Sequence, residues 1–344
     1  MAHRGILGIA MTILIVASAK ADPSYTLFDV PGASSTIASG IDNSGTVGGS
    51  YTTLKGRCRG GCGYTRASDG TFSTFAVKGC TALQVRGMNA SGDMVGFCNA
   101  KNDGAFSFVR SADGTISIVK NMKGSTAFLN KIGGNGIAGG YFYGKHNSQP
   151  FLRMPDGSKR LLKGARAKTG EVDGINESGI STGEITSFPN QSANAFIYTP
   201  DEEIQEFSVP DFKFTLGGAI NDSGDVGGLC LNSPGGGPLQ GFLRSADGSF
   251  DVFDIGVGEN GNAYVAAIAT VGADRQVIGM TAKDGFNAHW IGFVHHENGT
   301  LETFDISNNK APGGSLVMSA SENGVVVGYY VDHHGDDHAF IRMP

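Results

Sequence analysis

A single phrase recurs along this chain and narrows what it can fold into. It reads Gly-Ile-Asn-x-Ser-Gly-x-Val-x-Gly, a variable stretch, Gly/Ala-Phe-Leu-Arg, then Ala-Asp-Gly-Thr-Phe-x-x-Phe, and its clearest copy runs from Ala219 to Phe253. The turn glycines Gly45, Gly92, Gly136, Gly179 and Gly224 are spaced 47, 44, 43 and 45 residues apart, and Gly324 follows after 100. That last gap holds a degenerate copy, Ala267 to Met280, in which Ala273-Asp274-Arg275 replaces the glycine turn. Seven units with a period of about 40–50 residues are the signature of propeller blades.

Each unit divides into four short strands. The first ends in an Ile-Asn pair, as at Ile175-Asn176. Asn-x-Ser-Gly is a tight-turn signal, because Asn and Gly accept the left-handed backbone that a hairpin needs. Val-x-Gly, Gly-Phe-Leu-Arg and an alternating segment such as Thr300 to Phe304 supply the other three strands. The 54 glycines fit many turns and tight packing near an axis, and the regular phenylalanines argue against disorder. The last unit stops after its third strand at Phe340 to Pro344, while Tyr25 to Val30 form an orphan fourth strand. Pairing the two removes two exposed edges. The expected fold is all-β: a seven-bladed β-propeller of four-stranded antiparallel blades, its ring closed by the N-terminal strand.

Arg4, the apolar run Ile6 to Val16 and the small residues around Ala19-Lys20-Ala21 read as a signal peptide spanning 1–21. Cleavage is expected after Ala21, with Ala19 as the alternative, leaving 22–344 as one propeller domain. The apolar run is short for a membrane span, so a soluble secreted or periplasmic protein without a membrane anchor is expected. Without Arg4 and Lys20 the chain carries 24 basic and 32 acidic residues. That balance, without a long basic run, disfavours nucleic acid or an anionic membrane as partner.

Five cysteines fall on one face of the expected ring. Cys80 and Cys98 end adjacent strands, and Cys58 and Cys62 flank a short loop, so both pairs are disulfide candidates in an exported protein. Cys230 reads as a half-buried free thiol. The run Asp332 to His338 offers His333, His334, Asp336 and His338 as a candidate divalent-metal set, although polar loops of this kind are common turns. No GxSxG, HExxH, P-loop or dinucleotide-binding motif occurs, so no catalytic residue and no cofactor are assigned.

The first strand of each unit, expected nearest the axis, carries a second signal. At one position the units have Ser39, Arg86, Asn130, Asp173, Gly218 and Met318. Two residues earlier they have Ile37, Gln84, Phe128, Glu171, Leu216 and Leu316. Gln84, Arg86, Glu171 and Asp173 break a small or apolar pattern and are the candidate ligand-binding residues at the channel or its mouth.

The repeat resembles the bacterial HAF-repeat family of exported proteins. His338-Ala339-Phe340 carries the family's string, Asn194-Ala195-Phe196 holds an equivalent place, and Ile220 to Gly224, Gly241 to Arg244 and Phe28 to Gly32 match its other elements. The third and sixth units drift most. The resemblance implies an exported, β-propeller-like protein; that family has no common activity and supplies no catalytic residue. The favoured function is a monomeric, non-enzymatic scaffold binding a protein or glycan at one face of the ring. The alternative is a secreted polysaccharide lyase or hydrolase with its site at the channel mouth.

Overall fold

A computed structural model describes residues 22–101, 104–145, 147–164, 169–187, 192–200, 202–233, 239–256, 265–282, 289–307 and 313–344. The expected signal peptide at 1–21 lies outside the described residues. Strand β1 (Ser24–Phe28) precedes the repeats. The first unit is β2 (Ser35–Ile41), β3 (Val47–Thr52), β4 (Cys62–Arg66) and β5 (Phe72–Phe75). The second is β6 (Cys80–Met88), β7 (Met94–Ala100), β8 (Ala105–Arg110) and β9 (Ile116–Val119). The third is β10 (Ser125–Ile132), β11 (Ala138–Gly144), β12 (Ser148–Arg153) and β13 (Lys159–Leu161). The fourth is β14 (Thr169–Ile175), β15 (Ser181–Ser187), β16 (Ser192–Tyr198) and β17 (Gln205–Phe207). The fifth is β18 (Phe214–Ile220), β19 (Val226–Leu231), β20 (Gln240–Arg244) and β21 (Phe250–Asp254). The sixth is β22 (Val265–Val271), β23 (Val277–Ala282), β24 (Trp290–His295) and β25 (Leu301–Phe304). The last is β26 (Ser315–Ala320), β27 (Val326–Val331) and β28 (Asp337–Met343).

The chain is an all-β propeller of four-stranded antiparallel blades, with one departure from expectation. Five blades are separate four-stranded sheets, not seven. The fourth and fifth units share one eight-stranded sheet, joined by a single parallel pairing of Ala193 with Phe214. The cause is local. Strand β17 has three residues and covers only Ala195 to Ile197 of β16, so the Ala193 end stays open to the start of β18. The degenerate sixth unit is a full member of the ring. Arg275 takes the left-handed turn position of the missing glycine, at φ 64°.

Strand β1 pairs antiparallel with β28, from Ser24 with Met343 to Phe28 with Ala339, and completes the last sheet. Ala38 and Val47 of the first unit pack against Val327 and Ala339 of the last. Ser35 donates a hydrogen bond to Asp337 across the same seam at 2.8 Å.

The apolar core lies between neighbouring sheets. One cluster joins Val95, Val109 and Val119 of the second unit to Leu129, Phe142 and Phe151 of the third. The repeated glycine and phenylalanine belong to one packing device. A Cβ on Gly228 would stand 2.2 Å from the Leu216 carbonyl oxygen and 2.4 Å from the Phe242 ring. Only hydrogen fits beneath that buried aromatic, so the two residue types recur together.

In the second, fourth and fifth units the repeated asparagine staples the unit to the next. Asn89 Nδ2 donates to the Gly133 carbonyl at 2.9 Å, Asn176 to that of Asn221 at 3.1 Å, and Asn221 to that of Gly272 at 3.1 Å. Both disulfide expectations hold: Cys58 bonds to Cys62 and Cys80 to Cys98. Such bonds fit an oxidising compartment. Cys230 is a free thiol, fully buried and not half-buried as expected; burial pushes its pKa up to about 12.

Candidate binding site in the channel

The seven first strands line the axis, and each carries a β-bulge at the same place. The register slips between Ala38 and Gly40, Val85 and Gly87, Leu129 and Lys131, Val172 and Gly174, Gly217 and Ala219, Ile268 and Thr270, and Val317 and Ser319. The skipped residues are Ser39, Arg86, Asn130, Asp173, Gly218, Ala269 and Met318. A bulge releases one residue from the ladder and re-aims its side chain. The column that broke the consensus is therefore the column that leaves the pairing register.

Around Arg86, Glu171 and Asp173 the channel opens into a cavity of about 380 Å³. One wall is polar: Arg86, Asn130, Lys131, Tyr141, Glu171, Asp173 and Glu184. The facing wall is small or apolar, with Leu216, Gly218, Ile268 and Val317. Of the four candidates, Arg86, Glu171 and Asp173 converge here. Gln84 is exposed on β6 and does not line the cavity.

Glu184 completes an acidic group. It stands opposite Glu171 on β15, and carboxylate oxygens of Glu171, Asp173 and Glu184 all lie within 4.8 Å of one another. Asn130 Nδ2 donates to Asp173 Oδ1 at 3.3 Å and to the Val172 carbonyl at 3.1 Å. Burial, then the Asp173 charge, pushes Glu184 well above the usual carboxylate range. Burial also raises Asp173, opposed by hydrogen bonding from Glu184 and by Lys131 and Arg86. Protonated Glu184 thus donates to the Asp173 carboxylate, the arrangement that like charges reach when both cannot ionise. Glu171 is pushed up to about 7 by burial and by Asp173, with Arg86 pulling the other way. Burial lowers Lys131, and Asp173 partly restores it.

An aromatic ladder climbs the same wall between the second and third units. The Arg86 guanidinium lies 5.3 Å from the Phe97 ring centroid. Phe97 meets Phe128 edge-on at 5.4 Å, and Phe128 stacks on Tyr141 at 5.3 Å.

Lys131, Tyr141 and Glu184 do not follow from the first-strand columns. Lys131 is the residue after the bulge, where the second and fourth units carry Gly87 and Gly174. Tyr141 and Glu184 come from another column, the residue after the repeated Val-x-Gly glycine: Ser50, Phe97, Tyr141, Glu184, Leu229, Met280 and Tyr329. Tyr141, Glu184, Leu229 and Met280 of that column line the cavity. Unit alignment held that signal too.

Lys131 and Asp173 also line a second cavity of about 120 Å³ toward the Asn-x-Ser-Gly face. There Asn89, Asn176 and Asn221 meet Glu177, Asp222 and Glu322. Burial raises Glu177 and Glu322, and Asp222 raises both further.

The candidate metal loop is arranged differently from expectation. Ligand atoms of Asp332, His333 and His334 lie within 4.8 Å of one another. Asp336 contributes its backbone N–H to Asp332. His338 instead bonds Asp29 of the closing strand through Nδ1 at 2.8 Å, with Nε2 3.6 Å from Asp332.

No known family profile matches the chain, and no curated protein matches it in sequence. Solved structures share its fold. Virginiamycin B lyase from Staphylococcus aureus aligns with a TM-score of 0.58 at 15% identity, over 94% of this chain and 100% of that one. YCF48 bound to D1 peptide aligns at 0.55 and 12% identity, over 93% and 95%. The β-propeller domain of the Trilobed protease from Pyrococcus furiosus, described as having an open velcro topology, aligns at 0.58 and 8% identity, over 89% and 95%. At these identities the likeness concerns the fold alone.

Proposed function

We propose that this chain is an exported binding scaffold of the HAF-repeat kind, a seven-unit ring that takes a glycan at the channel mouth formed by its second, third and fourth units. One observation carries the reading: Arg86, Tyr141, Glu171, Asp173 and Glu184 converge on one cavity beside an aromatic ladder, opposite an apolar wall. Partly protonated carboxyls both donate and accept, which suits sugar hydroxyls, and aromatic faces suit the C–H faces of a sugar ring. The two disulfides and the signal-like segment 1–21 support export.

The test is a calorimetric titration of the mature protein with a panel of neutral and amino-bearing oligosaccharides. The Glu171→Gln/Asp173→Asn variant is run alongside. Binding in the wild type that falls at least tenfold in the variant supports the site. Binding of equal strength in both moves the ligand elsewhere.

A lyase or hydrolase is the second reading, because a carboxyl pushed up to about 7 is poised for proton transfer near neutral pH. A catalytically inactive His-to-Ala form of the staphylococcal lyase has been crystallised with Quinupristin. No histidine lines the cavity of this chain among the described residues. Product release from a polysaccharide or cyclic depsipeptide, lost in Glu171→Gln, would establish this reading over the scaffold.

A further inference from the structure

A second surface lies away from the channel, where the first two units meet at the rim. Residues 53–81 contain five Lys or Arg and one Asp, a formal +4 in a chain of formal charge −6, which leaves −10 for the rest. Arg57, Lys78 and Lys101 line one open groove of about 860 Å³ together with Cys62, Cys80 and Thr81. Lys55 and Arg59 extend from the same loop as Arg57. All five cations are exposed, and none forms an ion pair among the described residues.

The groove is held rigid. Both disulfides border it, one through Cys62 and the other through Cys80. The loop backbone is pressed onto β6, so that a Cβ on Gly60 would stand 1.8 Å from the Thr81 carbonyl oxygen. The Thr53 and Gly61 N–H groups both donate to the Cys58 carbonyl at 3.1 Å. Holding five like charges together, none of them ion-paired among the described residues, opposes folding. A covalent clamp on that cluster, in a chain whose one other cysteine is a buried thiol, points to a preorganised anion-binding surface.

The lining argues for the kind of anion. Val77 is buried, 4% exposed, Ala76 and Ala100 are short, and Leu54, 80% exposed on the loop, stands outside the lining. A peptide is ordinarily held by an anchor side chain in a deep apolar pocket. This groove is open, and it offers cations and the Thr81 hydroxyl beside the partly buried Phe106 ring, a pairing of charge and aromatic face that suits an acidic sugar. We infer that it binds an acidic polysaccharide, a chain of uronate or sulfate-bearing sugars, through Arg57, Lys78 and Lys101. This surface is separate from the channel site, and the inference does not depend on the proposed function.

The experiment uses the disulfide-intact mature protein and labelled polygalacturonate, followed by thermophoresis at 50 and 200 mM NaCl. Polyglutamate and neutral dextran are the comparison probes. Polygalacturonate is expected to bind at 50 mM, to weaken several-fold at 200 mM as screening grows, and to exceed both comparison probes. The Arg57→Ala/Lys78→Ala/Lys101→Ala variant is expected to lose at least tenfold in affinity while its circular dichroism melt matches the wild type. Glu171→Gln/Asp173→Asn is expected to bind polygalacturonate as the wild type does, which separates this groove from the channel. The inference is overturned by no binding at 50 mM, by undiminished binding in the triple variant, or by polyglutamate binding as tightly as polygalacturonate. The last outcome would assign the groove to acidic peptides.

Discussion

Replacing Glu171 with Gln tests the electrostatics of the channel. Burial and the Asp173 carboxylate carry Glu171 from an ordinary 4.5 to about 7. Between those values the folded protein holds a proton that the unfolded chain releases. Stability must therefore fall as pH rises through that window, because the native state binds more protons there. At 1.36 kcal/mol per pH unit the full shift corresponds to about 3 kcal/mol. Glu171 is only half-buried, and channel water screens it, which reduces the expected effect to about 1–2 kcal/mol. The Gln side chain keeps the shape and never ionises. Urea unfolding followed by circular dichroism should give near-equal stabilities for wild type and variant at pH 4.5. At pH 8 the variant should be more stable by about 1–2 kcal/mol. Parallel pH profiles, or a variant that is weaker at pH 8, would refute the claim that Glu171 is held against its charge.

Three further outcomes follow from the same geometry. Asn221→Ala removes a 5%-exposed side chain, leaves the Asp225 N–H without its partner and takes one of two donors from the Gly272 carbonyl, which keeps the Arg275 N–H, so urea unfolding should show a loss of about 1–3 kcal/mol. Asn135→Ala, whose bond to the Ser178 carbonyl is exposed, should cost under about 1 kcal/mol, and equal costs would contradict the staple. Asp29 and Asp332 hold the His338 pKa above its usual value against the opposing effect of burial. The closing strand thus gains stability that is fully present below the unfolded-state pKa of about 6.5 and is lost as pH rises through the raised value. An NMR titration should find the His338 pKa lower in Asp29→Asn, and an unmoved pKa would remove Asp29 as the cause. Cys230 should resist a thiol reagent in the native protein, and one thiol per chain should appear in urea without reductant; native labelling would contradict its burial.

Much of the candidate site was legible one unit at a time. Arg86, Glu171 and Asp173 stood out because six copies of the same strand show what the position ordinarily holds. Gln84 stood out equally, yet β6 leaves it exposed and outside the cavity, a difference that unit alignment does not carry. Lys131, Tyr141 and Glu184 lie outside the two first-strand columns. The second-strand column after the glycine holds Tyr141 and Glu184 as plainly. The histidine run divides in space: His333 and His334 share a cluster with Asp332, while His338 turns to Asp29, 309 residues away.

The sequence by itself determined what is local and repeated. Turn chemistry, strand alternation and the glycine beneath the buried aromatic follow from interactions within a unit or between like neighbours, and they recur from unit to unit; the orphan first strand and the three-stranded last unit complete one another by the same pairing. The tertiary structure decided what depends on unlike units meeting. It joined the fourth and fifth units into one sheet, because a three-residue β17 leaves the Ala193 end of β16 open. It also brought Arg86, Lys131 and the Glu171–Asp173–Glu184 group, carried on three units, to one cavity where burial shifts their proton affinities. Charge, distance and desolvation act through space, and only the closed ring sets the distances between units.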